Sequence, residues 1–478
     1  MTMLKAIFIS AVALAALAPA PRNDIDYAHV IERLSFGARA SEIERARTIG
    51  LERYIEEQLE PSRRAADDAM KARLAGFETL DLSSAEMSAR FYSRPRGNDG
   101  DATKRDPQER RQAALPLLEL SQQKILRATY SDRQLEEVLV DFWFNHFNVF
   151  SGKGQFARFY LTEYEREAIR PHVLGRFRDM LGATAESPAM LWYLDNWMSA
   201  APGAEASTPR KRGRMRRPAR SPQPARQQRP ARGLNENYGR ELLELHTLGV
   251  DGGYTQDDVV NIARAFTGWT IDAPRRGGGD FTFNARIHDK GEKIVLGQRI
   301  PAGGGRDDGE RVLDIVAAHP ATARHIALKL ATRFVSDTPP AALVDRAAKV
   351  FRDTNGDLRA VTRAIITSPE FLAPEARRAK VKTPFEFVVS ALRATGAEVA
   401  NAAPLVQQLR TLGMPLYGAQ PPTGYDDAAA SWINSGALLA RMNFAVALSE
   451  NRIAGARVKT DDAKALALRL GSVEFQRR

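Results

Sequence analysis

The sequence predicts a mainly α protein, a multi-helix body carrying one small β-hairpin insertion. Three observations carry this expectation. Leu, Ala, Arg and Glu, all favourable to helix, dominate the composition. Ser, Thr, Asp or His followed by proline, or by Asp, Glu or Gln three residues on, recurs along the chain, which is how helices begin. Strand-like runs are confined to residues 281–300. With 44% hydrophobic and 27% charged residues, a chain of 478 residues has ample material for a core.

The first element is a leader. Lys5 precedes an apolar run over residues 6–18, and small residues and prolines follow up to Pro21. That pattern predicts a signal peptide over 1–21, and with it an exported protein of the periplasm or cell envelope. The run is too short to stay behind as an anchor, so no integral span is expected after cleavage. A buried core helix is the competing reading. The chain has no cysteine, which rules out disulfides, thiolate nucleophiles and every Cys-containing zinc site.

An N-terminal helical half is expected over 22–198 and a C-terminal half over 233–455, with a tail over 456–478. Between the halves lies a Pro- and Arg-rich insertion, 199–232, with ten basic residues and Glu205 as its one acid. It accounts for +9 of the formal charge of +11. Such a segment buries too little apolar surface to order itself, and a contact with an anionic polymer through 210–232 is the functional alternative to a solvated linker. Residues 93–107 read as a second loop. Helix starts follow at Ser131–Gln134 and Thr383–Glu386 as capping boxes, and at Ser187, Thr255, His319, Asp357 and Ser368 as simple caps. About fifteen helices result. Residues 281–287 and 293–300 flank HDKGE as a predicted hairpin at about 281–300, bracketed by glycines. No internal repeat of roughly 20–50 residues is present.

Two segments hold the candidate chemistry. In VDFWFNHFNVF, His146 falls on the apolar face of its helix, which suits a core histidine with one hydrogen-bond partner. Asp141, Asn145 and Asn148 form a polar stripe beside it at i, i+4 and i+7. In GLNENYGRELLELHTLGVDGGY, Glu241 and Glu244 with Asn237 form a second stripe, and His246 lies close by. If the stripes face one another, Asp141, Glu241, Glu244, His146 and His246 offer an acid, a base or oxygen ligands for a hard cation in one cleft. The competing reading is a structural ion-pair network with Arg166, Arg170 or Arg240 as the counter-charge. No HExxH, E-x-x-H pair or three-histidine motif supports a transition metal, and no GxxxxGK[ST], GxGxxG or GxSxG supports a nucleotide or a serine hydrolase. The cofactor and any metal stay unknown at this stage. Residues 353–357 resemble the start of a calcium loop, but Leu358 and Ala364 occupy its glycine and glutamate positions, so a turn with an N-cap is the better account.

Several longer motifs resemble one family, the domain of unknown function 1800. They are AHVIERLSFGARASEI, VDFWFNHFNVF, IRPHVLGRFRDMLGATAESPAMLWYLDN, GLNENYGRELLELHTLGVDGGYTQDDVVNIARAFTGW, HPATARHIALKLATRFV, SPEF, KTPFEFVVSALRATG and PPTGY. The resemblance runs from about His29 to Phe444. It implies a helical, bacterial, often exported protein, and a partnership with the sulfatase-like domain of unknown function 1501. It brings no catalytic residue or cofactor with it, and the arginine-rich insertion departs from the family pattern. The expected function is an exported accessory or binding protein of the envelope acting with a partner. A hydrolase using the carboxylate-rich cleft, with or without a cation, is the alternative.

Overall fold

The computed structural model describes residues 24–60, 68–92, 106–204, 233–273 and 278–478. The predicted signal peptide, most of the insertion at 199–232 and most of the loop at 93–107 lie outside the described residues. The described chain forms 21 α-helices and three two-stranded antiparallel ladders, which is a mainly α architecture with small hairpins.

Most helix starts form by the local chemistry expected of them. Thr383 Oγ1 accepts from Glu386 N at 3.2 Å, and Thr383 N donates to Glu386 Oε2 at 2.8 Å, a complete capping box for Pro384–Thr395. Thr255 does the same with Asp258. Ser187, His319, Asp357 and Ser368 each accept from a backbone N–H of the first turn. The start at Ser131 departs from expectation. Helix Gln134–His146 opens without a cap from its N-cap residue Arg133, and Leu135 N donates to Gln58 Oε1 at 3.1 Å. Gln134 instead accepts from Phe36 N at 3.2 Å and donates to the carbonyls of Ala128 and Ser131. A glutamine occupied in linking two segments has no oxygen left for a capping box.

The pairing of residues 281–300 also departs from expectation. Phe281–Phe283 pairs with Trp269–Ile271, and Lys293–Val295 pairs with Gln298–Ile300. Two causes are visible. Leu296 and Gly297 both have positive φ, the backbone a two-residue hairpin turn demands, so the strand closes on its immediate neighbour. The HDKGE segment is no solvent turn either, because His288 is drawn inward. Its Nδ1 lies 2.7 Å from Thr267 O, its Nε2 lies 3.1 Å from Asp308, and Lys293 Nζ reaches the same carboxylate at 2.7 Å.

One hydrophobic cluster joins both halves of the chain. It contains Val138 and Trp143 from the first half, Phe334 and Phe387 from the second, and Leu466 and Leu470 from the final segment. Residues 456–478 therefore fold onto the body, with helix Ala463–Gly471 against Ser435–Ser449. Arg478 is buried at the same carboxylate as Arg333. Glu386 receives Arg333 Nη1 at 2.5 Å and Arg478 Nε at 2.9 Å. Burial opposes ionisation of Glu386, but Arg333 and Arg478 outweigh it and hold the carboxyl at about 2.

Replacing this acid leaves two buried guanidiniums facing each other. Glu386→Gln is expected to destabilise the protein by about 3–5 kcal/mol in urea unfolding. The wild-type contribution is present above the unfolded value of 4.5 and is lost as pH falls toward about 2, so the difference between variant and wild type narrows over that window.

Candidate functional site

Helix Gln134–His146, helix Pro320–Phe334 and the loop 414–427 enclose a cavity of about 510 Å³. Its position follows from how the loop is held. Asn145 Nδ2 donates to Tyr425 O at 2.7 Å, while Tyr425 N donates back to Asn145 Oδ1 at 2.7 Å. Asn148 Nδ2 donates to Ala419 O and Pro421 O at 3.0 and 2.9 Å. Tyr193 and Tyr425 secure the loop further through Gln420 O and Pro415 O. Gly424 sits so close that a Cβ there would fall 2.4 Å from Asn145 O, and its φ is positive, so only glycine fits.

Two of the three histidines nearby, His146 and His325, hold a helix end, and the third, His246, belongs to it. Residues Leu242–His246 form a π-helical turn, which leaves carbonyls without intrahelical partners. His146 Nε2 donates to His246 O at 3.1 Å, and His325 Nε2 donates to Leu245 O at 3.3 Å; the tautomers follow from these acceptors. A Cβ at Gly249, also at positive φ, would fall 3.0 Å from His325 Nδ1. The imidazole centroids of His246 and His325 lie 6.3 and 6.2 Å from that of His146. Burial, reinforced by the Lys329 amine, pushes His246 down to about 3 and His325 to about 4, and sets His146 well below its usual range.

The charged groups on the cavity wall are mostly committed. Asp141 pairs with Lys124 at 2.7 Å. Arg333 pairs with Glu386 and, at 3.5 Å, with Asp427. Asp427 also meets Lys380 at 3.2 Å, and Asp426 accepts from Ser431 Oγ and Ala428 N. Two groups are left over. Lys329 lines the cavity half-buried and has no hydrogen bond or ion pair among the described residues. Burial pushes its amine below the ordinary lysine range, with Asp427 and Asp426 opposing. His146 Nδ1 is buried without a hydrogen-bond partner.

The residues singled out from the sequence are distributed as follows. Asp141 and His146 line the cavity with Asn145 and Asn148, and His246 stands behind His146. Glu241 and Glu244 are not among the lining residues. Glu244 lies 3.7 Å from Arg240, and burial, then Glu244, raises the Glu241 carboxyl. Arg170 does not meet Asp141; it grips Glu137 through both of its terminal nitrogens. Lys124, His325, Lys329, Asp426 and Asp427 were not singled out. Among the described residues no group of three or more His, Asp and Glu is placed to hold a metal ion, and no helix is long and apolar enough to cross a membrane.

Fold and site together define a mainly α protein with a mixed polar and apolar cavity between two of its helices and a loop. The family described as Protein of unknown function (DUF1800) matches residues 29–477, nearly the whole chain, and the chain belongs to it. No curated protein and no solved structure matches the chain.

The buried imidazoles make the fold acid-sensitive. Their folded values lie below the unfolded 6.5, so stability is fully present above that pH and is lost as pH falls toward about 3–4. Urea midpoints are expected to drop between about pH 7.5 and about pH 5, and the drop should be smaller in His325→Gln, which keeps a donor for Leu245 O. An equal drop in the variant counts against the assignment.

Proposed function

We propose that this protein is an exported binding protein whose cavity takes a small polar molecule or the end of a polymer chain, acting in the cell envelope together with a partner. The observation that carries the reading is the unspent polarity of the cavity. Every charged lining group except the Lys329 amine has an ion pair or a hydrogen bond among the described residues. Phe142, Leu328, Met414 and Tyr425 supply apolar surface around these groups. A volume of about 510 Å³ lies within the ordinary range for small-ligand sites. Export is supported by the leader pattern of residues 1–21. Partnership with a sulfatase-like protein of the domain of unknown function 1501 family is supported by the family resemblance alone.

A hydrolytic reading has one specific observation in its favour. Glu241 is half-buried without an ion pair among the described residues, and its carboxyl is raised, as suits a general acid. Turnover by the purified chain that disappears in Glu241→Gln would put this reading first.

The binding reading is tested by screening sugars, sugar acids and short envelope oligosaccharides for a rise in melting temperature. A ligand that stabilises the wild type should bind Lys329→Met at least about tenfold more weakly, a loss of about 1.4 kcal/mol, while Lys459→Met on the exposed surface leaves affinity unchanged. Equal affinity in wild type and Lys329→Met rejects the cavity as the site.

A further inference from the structure

From the geometry we infer that Lys329 is an amine nucleophile, and that the ligands of the cavity include a class bearing an aldehyde or ketone that Lys329 captures as an imine. The inference rests on the cavity being a binding site and names the chemistry of what enters it.

The argument begins with what the other polar groups are doing. Asn145 and Asn148 are occupied in holding the loop, and His146 and His325 in holding the π turn. Lys124 serves Asp141, and Arg333 serves Glu386. Lys329 does none of this work, although it stands in the middle of the Pro320–Phe334 helix, one turn after His325 and one turn before Arg333. A lysine with a structural role ends on a carboxylate or on carbonyls, as Lys380 and Lys293 do in this molecule. A lysine that only solvates a helix face is exposed, as Lys464 is in helix Ala463–Gly471. Lys329 follows neither pattern. It is half-buried on the wall of an open cavity, beside imidazoles held as neutral ring caps.

An amine withdrawn from water and flanked by other basic groups keeps a larger share of its neutral, nucleophilic form. In the capture step the nitrogen lone pair of Lys329 attacks the carbonyl carbon. The C–N bond forms as the C=O π pair moves to oxygen, which takes up a proton, and the nitrogen releases one. The resulting carbinolamine loses its hydroxyl as water on protonation, leaving a C=N bond. One carbonyl and one amine are consumed, one water is released, and nothing is oxidised or reduced. Asp426 and Asp427 line the same cavity and face the positive charge of the protonated imine. Sugars in their open-chain aldehyde form and 2-oxo acids are the chemical classes that combine such a carbonyl with neighbouring polar groups.

The test uses the full folded chain, glyceraldehyde and pyruvate as separate probes, and sodium cyanoborohydride to fix any imine as a stable amine. Peptide mass spectrometry then reads the adduct at each lysine. Lys329 should be modified at least about tenfold faster than the exposed Lys459 with one of the probes. Lys329→Arg, which keeps the positive charge, should abolish that adduct and leave the Lys459 rate unchanged. Modification of Lys329 no faster than of Lys459 with both probes overturns the inference. If a ligand from the melting screen still depends on Lys329 in that case, imine chemistry fails and the binding site stands. If no ligand depends on Lys329 either, both readings fail.

Discussion

The contact between Arg333 and Glu386 is the constraint on which the site depends. Two elements meet there, the helix carrying His325 and Lys329 and the capping box that opens the buried helix Pro384–Thr395. A guanidinium and a carboxylate removed from water tolerate little displacement, because any loosening leaves an uncompensated charge in a poorly polarisable medium. Arg478 adds a second cation to the same carboxylate, and Asp427 leans on Arg333 from the loop side. The register of the Pro320–Phe334 helix against the loop 414–427 is thereby set by charge, and the cavity between them inherits that register.

Around this anchor the polar residues divide into those that hold the backbone and those that do not. Amides at Asn145 and Asn148 replace the missing secondary structure of an irregular loop, and imidazoles at His146 and His325 satisfy the carbonyls of a π turn. Both arrangements reflect the cost of leaving buried backbone groups without partners. Histidines that look like chemistry in a list of residues are here largely carpentry. What stands out against that background is an amine with nothing to hold.

Much of this was legible where the determining contacts are local. The boxes at Thr383–Glu386 and Thr255–Asp258 need only residues three apart, and they form as the sequence implies. The box at Ser131 was spoiled by Phe36, 98 positions away. The stripe of Asp141, Asn145 and Asn148 announced that partners were required, but Asp141 meets Lys124, and the partners of the two asparagines belong to a loop more than 270 residues downstream rather than to the neighbouring acidic helix. Glu244 and His246 were placed at regular helical spacing, and the π turn across Leu242–His246 puts that spacing out of phase. Lys329 was missed because a lysine in an amphipathic helix ordinarily reads as a solvated flank. The available signal was the run of His325, Lys329 and Arg333 at four-residue spacing, too many basic groups on one stripe of a helix whose neighbours are buried.

The clasp between Asn145 and the chain at Tyr425 closes a loop of 280 residues. A contact of that sequence separation is expensive in chain entropy and forms only after the intervening segments have condensed. Neither wall of the cavity has a fixed counterpart until then, so a partly folded chain presents its lysine as an ordinary solvated, protonated side chain. The environment of the amine is thus a property of the folded chain as a whole and not of its own helix.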